Sequence, residues 1–315
     1  MKIIVTGATS IIGVPLIKKL IKEKHNVYAM VRPGSPNIEK LIGLSPLNII
    51  ELKLEEAEKL SQYLNNSCDI CFHLGWDGAG SENRKKKEIQ QRNVTSSMKV
   101  LKALANMGCK KFIFSGSQAE YGIYYKKITE AATCFPVSEY GKAKVDFLNN
   151  AIKFLETHPD IKMEYIHTRI FSIYGPDEHK GSLIDSCLEA FLQKKQIELG
   201  ECSQLWNYLY IDDLVEALLA LMNGGTERHQ IEIYNIAGVE SDTKPLREYI
   251  NDIYICCGQK GKYILGKRSP NAEGIANLNP DISKIMARTG WRPSVKFTDG
   301  INEIINQRSK RHAKR

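Results

Sequence analysis

A tyrosine and a lysine four residues apart, with a serine upstream, form the set in this chain best suited to moving protons. Tyr140 and Lys144 lie in the run Ser138-Glu139-Tyr140-Gly141-Lys142-Ala143-Lys144. On a helix they stand one turn apart on the same face. A free tyrosine has a pKa near ~10 and is a poor base at neutral pH, but a neighbouring ammonium favours its phenolate. Lys144 can therefore turn Tyr140 into a usable proton donor and acceptor. Ser117, in Ser115-Gly116-Ser117-Gln118-Ala119-Glu120-Tyr121-Gly122, follows a β-rich run and can hydrogen-bond the oxygen that gains or loses the proton. A Tyr-x3-Lys pair alone is common on surface helices, so its meaning depends on what surrounds it.

The chain's opening supplies that surrounding. A strand-like run, Lys2–Thr6, leads into Thr6-Gly7-Ala8-Thr9-Ser10-Ile11-Ile12-Gly13 and then an amphipathic helical stretch. Gly7 permits a tight strand-to-helix turn and Gly13 a close helix–strand contact, while the helix N-terminus offers N–H groups to a pyrophosphate. Strand, glycine turn and helix in that order point to a dinucleotide site. The usual middle glycine is Ser10, whose side chain must stay off the phosphates or donate to one. The second β-rich run ends in Val31-Arg32-Pro33-Gly34, without the acid that holds a ribose in NAD-preferring sites. An arginine pairs with a ribose 2′-phosphate instead, so Arg32 favours NADP(H), with NAD as the alternative.

The elements that must position these groups alternate. β-rich runs at Lys2–Thr6, Asn26–Arg32, Asn48–Leu52, Cys68–Leu74, Lys111–Ser115 and Met163–Thr168 are separated by helical stretches such as Ile12–Lys24, Asn83–Met107 and Tyr140–Leu155. That rhythm predicts a doubly wound parallel sheet, the Rossmann α/β arrangement, with strands apolar on both faces. The rhythm changes after Pro176. Residues 1–176 are expected to form the dinucleotide-binding domain, its sheet completed by parts of 205–240, and 177–315 a smaller, interleaved C-terminal lobe. A cleft should lie between them.

With these motifs in order, the sequence resembles the extended short-chain dehydrogenase/reductase family, in its nucleotide-sugar epimerase/dehydratase branch. The matching segments are TGATSIIG, Asn93 in QRNV, SGSQAEYG, YGKAK, RIFSIYGP, WNYLYIDD and NPDISKIMARTGWRP, and they span nearly the whole chain. The resemblance implies a catalytic Ser117/Tyr140/Lys144 triad, with Lys144 also holding the nicotinamide ribose. It implies cofactor contacts from Gly7, Thr9, Ser10, Ile11, Ile12, Gly13, Arg32, Leu74, Gly75, Trp76, Asn93, Ser115 and Phe171, together with Tyr140 and Lys144. A homodimer built on a helical bundle is also implied.

Departures from the family narrow the reaction. Sugar 4,6-dehydratases of this branch carry an Asp-Glu pair where this chain has Gln118 and Ala119, neither of which moves a proton. Glu120, one place on, would project elsewhere. Two reactions remain: NADPH-dependent reduction of a 4-keto-6-deoxy sugar on a nucleoside diphosphate, and 4-epimerisation with retained NAD. Arg32 favours the first. A third reading, a non-catalytic dinucleotide sensor, sits poorly with an intact Tyr/Lys pair. For the substrate, Gln118, Ser172 and Trp206 are the candidate contacts. Trp206 stands where many relatives have a diphosphate-clamping arginine, and Ser172 where an asparagine faces the sugar diphosphate. Lys180, Lys194, Lys267 and Arg268 are candidate substitute cations.

Composition excludes other classes. The net charge is +8, but the last eight residues carry five Lys/Arg and no acid, and Arg84-Lys85-Lys86-Lys87 form a second knot. A frayed tail and one solvated helix face account for both without a nucleic-acid groove. Cys68-x2-Cys71 lies in a run that reads as a buried strand, with no second pair at zinc-ribbon spacing, so no metal is expected. Eight cysteines without a framework suit a reduced, cytoplasmic setting. No run reaches the ~18 apolar residues of a membrane span, and the chain opens on a strand, so neither membrane insertion nor export is expected.

Overall fold

The computed structural model describes residues 1–313 apart from 66, 81, 225–230 and 270–275. Its centre is a seven-stranded parallel sheet. Six strands are β1 (Lys2–Thr6), β2 (Asn26–Val31), β3 (Asn48–Glu51), β4 (Ile70–His73), β5 (Lys111–Ser117) and β6 (Glu164–Ile170). Across the sheet they run β3-β2-β1-β4-β5-β6, and the strand Ile231–Ile236 closes the far edge by pairing in parallel with β6. The chain thus returns from the second lobe to complete the sheet.

Every residue of β4 and of β6 is buried, and β4 lies between β1 and β5 with both its faces covered. This is why β4 is apolar on both faces up to His73, whereas β6 buries Glu164, His167, Thr168 and Arg169 among its apolar residues. Helices α1 (Gly13–Lys22), α2 (Leu60–Leu64), α3 (Lys87–Asn106) and α4 (Glu139–Thr157) pack against the sheet's first half. In α1, Val14, Leu16, Ile17 and Leu20 are buried, as the amphipathic spacing requires. The switch in strand order falls between β1 and β4, where connections leave in opposite directions and open a crevice.

The second lobe is built from short pairs. Ser172–Tyr174 lies parallel to Tyr208–Tyr210, Lys244–Pro245 antiparallel to Leu205–Trp206, and Lys262–Ile264 parallel to Gln196–Glu198. Aromatic rings fill its centre: Tyr174, Tyr208, Tyr249 and Phe297 meet at centroid distances of 4.7 to 5.8 Å. One expectation needs correction here. As far as Ala313 the basic C-terminal segment is helical and not frayed, because the last helix runs Phe297–Ala313 and Arg308 hydrogen-bonds Asp185 at 2.6 Å. Residues 314 and 315 lie outside the described region. No helix among the described residues is long and apolar enough to cross a membrane.

Candidate active site

The glycine turn after β1 sits at the crevice. Gly7 has φ +62°, and a Cβ there would come within 2.7 Å of the backbone of Leu74 and Gly75. At Gly13 a Cβ would lie 2.5 Å from the carbonyl oxygen of Gly7. Gly7 is needed for backbone angle and for space, Gly13 for space alone. Ser10 occupies the middle position by turning its hydroxyl inward. Its Oγ accepts the Gly13 N–H at 3.0 Å, which leaves its own proton to donate. Thr9, Ile11 and Ile12 stand half-buried along the same turn.

Leu74 and Gly75 form the opposite wall, and a buried chain of hydrogen bonds fixes it. Thr6 Oγ1 accepts the Gly75 N–H (3.0 Å) and bonds His73 Nδ1 (2.8 Å), while His73 Nε2 bonds Ser97 Oγ (2.9 Å). Burial, with the charge of Lys144 adding to it, pushes the His73 imidazole down to about 3, so it stays neutral. Asn93 spends its amide on the same loop: its Oδ1 accepts the Asp77 N–H at 2.9 Å and its Nδ2 donates to the Asp77 carbonyl at 2.8 Å. These bonds hold the wall and use one donor and one acceptor site of the amide.

Tyr140 and Lys144 are carried by α4, which meets the end of β5, the strand that carries Ser117. Ser138 caps α4 by accepting the Gly141 N–H at 3.2 Å. Gly141 is the point of contact, since a Cβ there would strike the carbonyl oxygen of Ala119 and lie 3.0 Å from Pro136. Close approach brings Lys144 Nζ to the Ser115 carbonyl (2.6 Å), 5.5 Å from the centre of the Tyr140 ring. Ser117 Oγ accepts the Ala119 N–H at 3.2 Å and keeps its proton for an incoming oxygen. Trp76 is a wall of the lysine pocket: Lys144 Nζ lies 3.8 Å from its ring centre and Tyr140 meets it edge-on at 6.3 Å. Burial lowers the Lys144 ammonium to about 7, with Glu120 opposing that shift and Arg84 adding to it.

Glu120 faces away from the cleft, as its offset implied. It is fully buried, accepting the Ser117 N–H (2.8 Å) and bonding His167 (2.9 Å) and Arg169 (2.9 Å). Burial raises its carboxyl, but the neighbouring His167 and Arg169 more than offset this and hold it below its ordinary value. Gly116 makes room, since a Cβ there would lie 2.5 Å from His167 Nε2. The network was not visible in the sequence, because nothing local ties residue 120 to 167 and 169.

Between the lobes lies a cleft of about 340 Å³. Gln118, Ala119 and Gly122 line it on the sheet side, and Leu199, Trp206 and Tyr208 on the other. Of the three expected substrate contacts it gathers Gln118 and Trp206; Ser172 is not part of its lining, being held in the strand paired with Tyr208–Tyr210. Of the four candidate cations, Arg268 alone reaches the lining among the described residues. Trp206 Nε1 and Asn207 Oδ1 are buried without a hydrogen-bond partner. Arg32 is exposed at the end of β2, and Phe171 is buried against Tyr121 at 6.3 Å. Cys68 and Cys71 are buried, and burial pushes the Cys71 thiol well up.

Residues 3–237 match the model of the NAD dependent epimerase/dehydratase family. The chain belongs to that family. Among its relatives is the dTDP-4-dehydro-6-deoxyglucose reductase of Escherichia coli, 26% identical, with 96% of each chain covered. Its fold matches MoeE5 in complex with UDP-glucuronic acid and NAD (TM-score 0.85, 20% identity, 98% of this chain and 100% of that one). It also matches the UDP-glucose 4-epimerase of Thermotoga maritima with UDP-glucose (TM-score 0.84, 22% identity, 99% and 100%). Family members are NAD-dependent enzymes, and the crevice offers a dinucleotide a glycine turn leading into a helix start, packed tightly by Gly7 against Leu74 and Gly75 and by Gly13 against the Gly7 and Ala8 carbonyls. Gly7, Ser10 and the start of α1 would hold the pyrophosphate, and Lys144 the nicotinamide ribose.

Proposed function

We propose that this chain reduces a 4-keto-6-deoxy sugar carried on a nucleoside diphosphate, using NADP(H). The reaction class rests on Tyr140 and Lys144 lying together against Trp76, with Lys144 on the Ser115 carbonyl two residues before Ser117, and on a cleft wall that carries Gln118 and Ala119 instead of two carboxylates. Bound NADPH would supply hydride to the carbonyl carbon. Ser117 donates a hydrogen bond to the carbonyl oxygen, and Tyr140 gives it the proton that completes the hydroxyl. Lys144 keeps the phenol acidic. The bulk of the nucleotide fills the space toward Trp206 and Arg268.

The observation favouring reduction is Arg32, exposed at the end of β2 with no carboxylate in residues 32–34. An exposed guanidinium there can clamp a 2′-phosphate in charge-assisted pairs. A second reading, 4-epimerisation with retained NAD, draws support from the fold match to an NAD-bound structure and to an epimerase. Turnover with a panel of nucleoside diphosphate sugars separates them. Stoichiometric loss of NADPH absorbance with a 4-keto substrate is the expected result. Interconversion of stereoisomers without net cofactor change would replace it with the second reading. Arg32→Ala should weaken NADP far more than NAD; equal loss would remove the case for NADP(H).

A further inference from the structure

Arg84 opens a knot of four cations that reads as plain solvated surface. Lys85, Lys86 and Lys87 are indeed exposed, but Arg84 is half-buried, and its guanidinium carbon lies 4.2 Å from the centre of the Tyr140 ring. The placement is built, not incidental. Arg84 sits on the single turn Asn83–Lys85, whose Asn83 carbonyl accepts a hydrogen bond from Gln90 Nε2 at 2.9 Å. The same amide nitrogen donates to the Gly78 carbonyl at 3.0 Å, and Gln90 Oε1 accepts the indole N–H of Trp76 at 2.8 Å. One buried glutamine therefore fixes both the turn that carries the guanidinium and the indole that meets Tyr140 edge-on. Gly78 keeps the loop close, since its φ is +67° and a Cβ would lie 2.9 Å from that of Asn83.

We propose that Arg84, stacked on the face of Tyr140, is a second cation acting on that phenol, a positioning residue that stabilises the deprotonated form beside Lys144. The inference rests on the reading of Tyr140 as the proton donor. A cation over an aromatic face is attracted by the ring, and the attraction grows when the ring acquires a full negative charge. A guanidinium stays charged at every pH a protein survives, whereas a buried ammonium does not. Lys144 lies 5.5 Å from the Tyr140 ring centre, and with its value lowered to about 7 it is only partly charged at neutral pH. Arg84 supplies the charge that does not titrate. The other ionisable groups around this point are spoken for: Glu139 pairs with Lys142, Glu120 with His167 and Arg169 behind Ser117, and His73 is held neutral.

The test is a tyrosinate absorbance titration of the full chain without cofactor, compared with Tyr140→Phe so that the difference isolates one phenol. Arg84→Gln should raise the Tyr140 midpoint by about one unit or more, while Arg84→Lys, which keeps the charge, should raise it by less than half as much. Arg84→Met keeps an apolar stem on the ring and serves as the neutral variant should Arg84→Gln not fold. An unchanged midpoint in the neutral variant overturns the proposal. Equal shifts in the neutral and lysine variants overturn it too, because they assign the effect to packing. A wild-type difference showing Tyr140 titrating no lower than a free tyrosine, near ~10, would instead remove the proton-donor reading itself, and this inference with it.

Discussion

The cofactor crevice and the substrate cleft are two ways of building a polar surface. In the crevice the fixed groups answer one another: Thr6 serves Gly75 and His73, His73 reaches Ser97, Asn93 closes on Asp77, and Ser10 caps Gly13. In the cleft wall, Trp206 Nε1 is buried with no partner, and so is Oδ1 of its neighbour Asn207, which lies behind the lining. Leaving a buried polar group unpaired costs on the order of 1–3 kcal/mol, so such groups are few in a folded protein. The groups of the crevice wall are paired before anything binds, whereas the indole of the cleft keeps a donor that a polar ligand can meet.

The largest expected effect tests the completeness of the crevice. Gly13→Ala places a Cβ 2.5 Å from the Gly7 carbonyl oxygen, a distance that backbone must give way to relieve. The helix start then moves off the turn, and dinucleotide affinity should fall by more than about 100-fold by calorimetry, in keeping with the sensitivity of such sites to displacements near 1 Å. Affinity within a few-fold of wild type would show that α1 does not hold the pyrophosphate.

This half of the site was also the more legible in the sequence, for a physical reason. Gly7, Ser10 and Gly13 act within one turn, so their spacing along the chain is their geometry. Tyr140 and Lys144 share a helix face for the same reason. What escaped detection depends on distant chain segments. Glu120 meets His167 and Arg169 only because β5 and β6 are neighbours, and Trp76 meets Gln90 only because a loop folds back on α3. The knot at 84–87 looked uniform because charge is all the sequence displays, yet its first member turns inward and the rest do not. Strand ends moved by a few residues: β5 continues to Ser117, carrying that serine on the sheet itself, and β4 is shorter than the run Cys68–Leu74.

A second test concerns the buried lysine that joins the two regions. In the unfolded chain Lys144 titrates at 10.5, and in the folded protein at about 7. Between those values the unfolded state holds the extra proton, so stability rises with pH across that window and is lost as pH falls from 10.5 to 7. Below 7 the loss is complete. Lys144→Met removes this dependence. The difference between wild-type and variant stability, from denaturant unfolding at pH 7 and pH 10, should change by on the order of a few kcal/mol. Parallel curves would mean that the ammonium keeps its proton in the crevice.

Thr6→Val probes the hydrogen bonds of the wall. It removes the acceptor of the Gly75 N–H and the partner of His73 Nδ1, both buried, while nearly keeping the side-chain shape. Two groups are left unpaired, and the cofactor-free protein should lose about 1–3 kcal/mol in denaturant unfolding. A change under about 0.5 kcal/mol, the range of ordinary surface substitutions, would mean that the wall tolerates gaps and that the contrast with the cleft is not real.

Trp206→Phe is the mirror of that experiment and should have the smallest effect on the free protein. The indole N–H it removes has no partner, so the usual cost of breaking a hydrogen bond does not arise. What is lost is some packing against Tyr208, whose ring lies 6.2 Å away, and what is gained is relief of an unsatisfied donor. Stability should therefore stay within about 0.5 kcal/mol of wild type, the ordinary surface range. Binding tells a different story, because a ligand acceptor that reaches the indole in the wild type has nothing to meet in the variant. The dissociation constant of the nucleoside diphosphate sugar should rise by about 2- to 12-fold, the equivalent of one hydrogen bond, with turnover at saturation preserved. A variant clearly less stable but unchanged in affinity would make Trp206 a piece of the lobe's core, and the cleft would then need Arg268 and Gln118 to carry recognition without it.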